Sequence, residues 1–132
     1  MLDMKSALFK FALAARTRAY APYSEYKVGA AVQTKSGKVY AGCNVENSSY
    51  GMTICAERAA IINAVIDGET EFTKLCLIVE NPLKQEVLPC GACRQFMAEF
   101  GTEWEIHTLN IANQVWYHTT LDVALPISGK IL

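Results

Sequence analysis

The chain has 132 residues, of which 52% are hydrophobic and 19% charged, with a formal net charge of −1. This is a globular composition, long enough to bury a core without covalent staples, and it excludes a disordered chain. A nucleic-acid partner would need a basic footprint that is absent here, and no apolar run approaches the ~20 residues of a membrane-spanning helix.

The pattern along the chain alternates between helix and strand. Residues 2–18 read as an amphipathic helix, with Leu8, Phe11, Ala12 and Ala15 at helical spacing and a break at Ala21-Pro22-Tyr23-Ser24. Residues 27–34 and 38–43 read as two strands joined by a turn at Ser36-Gly37, followed by a polar loop from Asn44 to Gly51. Residues 55–67 read as a second helix with Ala59, Ile62 and Ile66 as its apolar stripe, stopped by Gly68. Leu75-Cys76-Leu77-Ile78-Val79 is the continuous apolar run of a buried central strand. A helix over 91–99, strands over 104–109 and 113–118, and a short helix from Thr120 to Ala124 complete an α/β chain. Repeats, linkers and low-complexity segments are absent, so residues 1–132 are expected to form a single domain.

The chemistry is concentrated in Cys55-Ala56-Glu57 and Pro89-Cys90-Gly91-Ala92-Cys93. Three thiolates suit a zinc ion that keeps one position open for water, whereas a structural zinc usually takes four protein ligands. A thiolate-rich tetrahedral site favours zinc over other ions. Such an ion lowers the pKa of bound water towards neutrality, and Glu57 is spaced to handle the protons. Three thiolates leave the site one unit negative, and Arg58 and Arg94, each directly after a motif, offer compensation. Both cysteine elements fall at predicted helix starts, where the positive end of the dipole and free N–H groups stabilise thiolates. Pro89 suits the entry to the second of these helices.

Other readings of these residues stay open. One Cys-x-x-Cys also serves as a redox pair or as half of a structural zinc site. Cys43 or Cys76 could close such a site, although both sit in apolar runs typical of small core residues. The odd count of five cysteines argues against a secreted disulfide framework. Met1-Leu2-Asp3-Met4-Lys5 lacks the plan of a signal peptide, and a cytoplasmic location is expected. Asn44 and Glu46 read locally as turn residues. Arg58 and Arg94 could be ordinary helix residues, and His107 and His118 read as ordinary strand residues. No Gly-rich phosphate loop is present, which weighs against a phosphate-bearing ligand.

A three-cysteine zinc, a non-ligand glutamate and Pro-Cys-x-x-Cys form the signature of zinc-dependent nucleobase deaminases. The resemblance extends along nearly the whole chain to the small cytidine deaminases. It is carried in order by Tyr20-Ala21-Pro22-Tyr23-Ser24-Glu25-Tyr26-Lys27-Val28-Gly29-Ala30-Ala31, Gly42-Cys43-Asn44-Val45-Glu46-Asn47, Cys55-Ala56-Glu57-Arg58 and Pro89-Cys90-Gly91-Ala92-Cys93-Arg94-Gln95. What it implies is a three-layer α/β/α fold around a mixed sheet of about five strands. It implies Cys55, Cys90 and Cys93 as zinc ligands, with Glu57 as the proton shuttle. Asn44 and Glu46 would hold the ribose, Tyr26 would stack on the base where the family usually has phenylalanine, and backbone near Ala56 and Pro89 would read the pyrimidine edge. The implied reaction is hydrolytic deamination of cytidine and deoxycytidine to uridine and deoxyuridine in pyrimidine salvage, by a homotetramer. A related deaminase of another aminated nucleoside or base is the alternative, and a non-catalytic zinc module is a third reading that leaves Glu57 without a purpose. The family often has an aromatic residue soon after a late Leu-Pro; here Leu125-Pro126 is followed by aliphatic Ile127 and Ile131.

Overall fold

The structure, a computed structural model, describes residues 2–129. Helix α1 (Ala7–Thr17) leads into the hairpin β1 (Gly29–Thr34) and β2 (Val39–Cys43), and α2 (Ala56–Ile66) precedes β3 (Phe72–Val79). Helix α3 (Gly91–Ala98), strands β4 (Glu105–Asn110) and β5 (Val115–Thr120), and the single turn α4 (Leu121–Ala124) follow. The five strands form one mixed sheet in the order β2-β1-β3-β4-β5. Only the β3–β4 pair is parallel, and its crossover contains α3.

Alternation along the strands builds a core on each face of the sheet. Ala31, Cys76, Ile78 and Leu109 meet Leu2, Leu8, Phe9 and Ala12 on the α1 side. Ala30, Val32, Leu75, Leu77, Val79 and Ile106 meet Ala60, Ile61, Ala64 and Met97 on the side of α2 and α3. The expected three-layer α/β/α arrangement with five strands is therefore present.

Several boundaries differ from those the periodicity suggests. Helix α1 starts five residues later than expected because Asp3 and Ser6 organise the preceding turn. Asp3 Oδ1 accepts from Lys5 N at 2.9 Å, and Ser6 Oγ caps the helix by accepting from Phe9 N at 3.3 Å. With that start, Phe9 faces the core and Phe11 faces outward, so the inward stripe is Leu8, Phe9 and Ala12. Strand β3 is longer than its apolar run because Phe72 stacks on Trp104, ring centroids 4.6 Å apart. Strand β5 starts two residues late because Gln114, at φ 57°, belongs to the turn after β4.

The stripe expected on α2 is also corrected. Ile62 and Ile66 are exposed, and the helix turns Ala56, Ala60, Ile61 and Ala64 inward. Small residues are required at Ala56 and Ala60, where α2 lies directly on Gly42 of β2. A Cβ added at Gly42 would stand 2.3 Å from Ala60 N and 2.6 Å from Ala56 O. Backbone cannot yield as a flexible side chain can. Gly42→Ala is therefore expected to cost about 3 kcal/mol, at the upper end of overpacking penalties. Chemical denaturation checks this, and an unchanged midpoint would contradict so close a contact.

Candidate active site

Each cysteine is placed by the start of a helix. Cys55 is the N-cap of α2 and Cys90 the N-cap of α3, while Cys93 lies in the first turn of α3. Neither N-cap sulfur accepts a capping hydrogen bond from its helix, which leaves both free for another task. The three Sγ atoms lie within 4.8 Å of one another. Around a tetrahedral zinc with Zn–S bonds near 2.3 Å they would stand about 3.8 Å apart, so small side-chain rotations suffice to close on an ion. All five cysteines are free thiols, and Cys43 and Cys76 are outside this cluster. Three sulfurs and no fourth protein ligand, among the described residues, fit a zinc ion with one open position.

Charge around Cys55 is arranged to favour its thiolate, while the hydrogen bond to Cys55, burial and the neighbouring Glu57 push the Cys93 thiol up. Arg58 Nη2 donates to Cys55 Sγ at 3.1 Å. A hydrogen bond from Cys93, followed by the Arg58 contact, pulls the Cys55 pKa down to about 5. Arg94 takes another role from the one its position suggests: its Nη1 donates to the carbonyl of Ala124 at 2.6 Å and ties α3 to α4. Arg58→Ala is expected to weaken zinc retention or turnover about 10–100-fold, the usual cost of losing a group that orients metal ligands. Competition with a chromogenic chelator and steady-state kinetics measure both quantities. Unchanged values would make Arg58 a surface residue only.

Glu57, in the first turn of α2, is 5% exposed. Burial, with the neighbouring Cys55 charge adding to it, pushes its carboxyl up to about 7 despite the pull of its backbone amide and Arg58. Glu57 lines a cavity of about 340 Å³ together with Tyr26, Asn44, Cys55, Ala56 and Cys90. This size falls in the ~300–1,000 Å³ range of small-molecule pockets. Tyr26 is half-buried at its wall, and burial foremost raises its phenol pKa. Pro89 is buried behind the wall, while its neighbours Leu88 and Cys90 reach the surface of the cavity.

The polar residues of the loop after β2 are placed differently from one another. Asn44 lines the cavity, but its Oδ1 accepts from Val28 N at 2.9 Å and its Nδ2 donates to Tyr26 O at 2.8 Å. It fixes the backbone on which Tyr26 is carried. Glu46 lines an adjoining depression with Tyr23, Ser24 and Tyr50, and accepts from the backbone amides of Tyr23 and Ser24 at 3.0 and 3.1 Å. Thr53 borders both hollows. The structure therefore gathers Tyr26, Asn44, Ala56, Glu57 and two cysteines around one cavity and sets Glu46 beside it. Sequence reasoning missed Asn81, Lys84, Val87 and Leu88, which wall the cavity from the segment after β3. Their one local signal is the turn former Asn81-Pro82.

The comparison with known proteins agrees with this geometry. The family model for the cytidine and deoxycytidylate deaminase zinc-binding region matches residues 3–107. A cytidine deaminase of Sporosarcina psychrophila is 51% identical over 86 residues, which cover 65% of this chain and 62% of that protein. The matched stretch is thus under two thirds of that relative's length. A cytidine deaminase of Halalkalibacterium halodurans is 46% identical over 95 residues, 72% of this chain and 70% of that one. Among solved structures, cytidine deaminase from Burkholderia pseudomallei superposes with a TM-score of 0.83 at 44% identity, covering 91% of this chain and 94% of that one. The enzyme from Mycobacterium tuberculosis gives 0.78 at 32% identity, with 99% and 100% covered.

Proposed function

The chain belongs to the cytidine and deoxycytidylate deaminase family, and on that premise we propose that it hydrolyses cytidine and deoxycytidine to uridine and deoxyuridine, releasing ammonia. The observation that carries this reading is a buried carboxyl, Glu57, sharing one cavity with Cys55 and Cys90, two members of a cluster of three cysteines. Cys55, Cys90 and Cys93 would hold the zinc, which when bound supplies a nucleophile from water at neutral pH. Glu57 takes a proton from the attacking water and delivers it to the ring nitrogen beside C4. It then carries the remaining proton of the added hydroxyl to the exocyclic amine, the C4–N bond breaks as C4=O forms, and ammonia leaves with the water oxygen retained on the ring. Tyr26 presents an aromatic face to the base, and the apolar walls Val28, Leu77 and Val87 exclude bulk water from the proton transfers. The backbone at Ala56 and near Pro89 would read the pyrimidine edge. Asn44 supports the ribose end, with Glu46 reaching it from the adjoining hollow. Arg58 offsets the thiolate charge, and Arg94 holds α3 in place.

A panel of aminated nucleosides tests the substrate class. Cytidine and deoxycytidine should be turned over with loss of absorbance; turnover of a different aminated nucleoside or base, with cytidine inert, would move the enzyme to a related specificity.

The assembly we propose is a homotetramer. Its support is the apolar surface that one chain leaves open, including Ile62, Val65 and Ile66 on the outer face of α2 and Ile127, 87% exposed, after Leu125-Pro126. Ile131, the other candidate for contact with a neighbour, lies outside the described residues. An active monomer in sedimentation at assay concentration would refute the tetramer. Five free thiols suit a reducing cytoplasm, and among the described residues no helix is long and apolar enough to cross a membrane. Nucleoside deamination in pyrimidine salvage fits that setting, with no nucleic-acid or membrane partner.

A further inference from the structure

Glu105, His107 and His118 come together on the face of the sheet opposite the cysteine cluster. His107 and His118 are directly paired across the antiparallel β4–β5 ladder, and Glu105 precedes His107 by two residues on the same face. His107 also stands in register with Cys76, whose side chain belongs to the core on the α1 side. The site therefore owes nothing to α2 or α3. The two imidazoles stack with centroids 4.5 Å apart and planes inclined by 17°. Glu105 Oε1 lies 3.9 Å from His107 Nε2 and 3.8 Å from His118 Nε2, while Oε2 faces Lys74 Nζ at 3.9 Å.

His107 is only 8% exposed, yet neither its Nδ1 nor its Nε2 makes a hydrogen bond. Leaving a buried polar group without a partner is destabilising, and hydrophobic neighbours alone give no reason to keep an imidazole there. One ligand atom from each of the three residues lies within 4.8 Å of the other two. Around an ion with bonds near 2.0–2.1 Å such atoms stand about 3.4 Å apart, a change that small χ rotations of His118 and Glu105 supply. Both of these side chains are about half-exposed, which leaves room for water at the remaining coordination positions. Two imidazoles and a carboxylate suit a divalent transition ion, such as zinc, copper or nickel, and not calcium or magnesium.

We propose that Glu105, His107 and His118 form a second metal site, separate from the three cysteines, which takes one divalent transition ion per chain. The ion would give one of the two unpartnered His107 nitrogens a partner, and its ligands would clamp β5, the edge strand, to β4. The test is equilibrium dialysis of the untagged chain against Zn2+, counting the metal bound beyond that already present in the dialysed starting protein. One additional equivalent per chain is expected. His118→Ala and Glu105→Ala, both at half-exposed positions that spare the fold, should each weaken that equivalent at least about 10-fold. The metal retained from the start serves as an internal control for folding. No additional equivalent at saturating Zn2+, or an equivalent held with undiminished affinity in His118→Ala, would overturn the proposal.

Discussion

Glu57→Gln is expected to lower kcat by at least about 10²–10⁴-fold, the usual contribution of a general acid–base group, because in the proposed mechanism one side chain serves several proton transfers in each cycle. Glutamine keeps the size of the side chain, so the cavity and the first turn of α2 should be preserved. Stability should hold or rise, since a carboxyl only 5% exposed is replaced by a neutral amide that costs less to bury. Steady-state kinetics, zinc content and thermal unfolding separate these effects. Turnover near that of the parent would remove Glu57 from the proton path. Loss of zinc together with turnover would place it among the ligands.

Cys90→Ser is expected to abolish zinc retention and with it turnover, an effect larger than the ~10–100-fold typical of residues that only support a ligand. The hydroxyl of serine does not ionise at working pH and so cannot replace a thiolate. Cys90 is the exposed member of the cluster, so its substitution leaves the core packing intact. Cys76→Ser gives the opposite pattern: a buried core thiol outside the cluster, whose replacement should cost stability and leave zinc unchanged. Metal analysis and unfolding curves of the two variants distinguish ligation from packing. Full zinc content in Cys90→Ser would rule out the three-sulfur site.

The site was legible in the sequence wherever its chemistry is local. The two cysteine motifs sit at helix starts, and the spacing that marks them also fixes their direction relative to the helix. The hairpin followed from Ser36-Gly37, where Gly37 adopts φ 92°. Features set by distant partners were not legible. The inward face of α2 is chosen by the close approach of Gly42 on β2, which favours Ala56 and Ala60 over the larger Ile62 and Ile66. Asn81, Val87 and Leu88 carry no chemical signature, and only the path of the chain after β3 makes them walls of the cavity. His107 and His118 read as plain strand residues because their pairing is a matter of β4–β5 register. Arg58 and Arg94 look equivalent in the sequence, yet one meets a sulfur and the other a carbonyl of α4.

The central claim is that a zinc held by Cys55, Cys90 and Cys93 and a proton shuttle at Glu57 make this chain a cytidine-hydrolysing enzyme. The most direct measurement follows uridine and ammonia formation from cytidine in preparations carrying graded amounts of zinc. Equal amounts of uridine and ammonia, with a rate proportional to zinc bound at the cysteines, are the predicted result. A chain fully loaded with zinc at those cysteines that leaves both cytidine and deoxycytidine unchanged would contradict it.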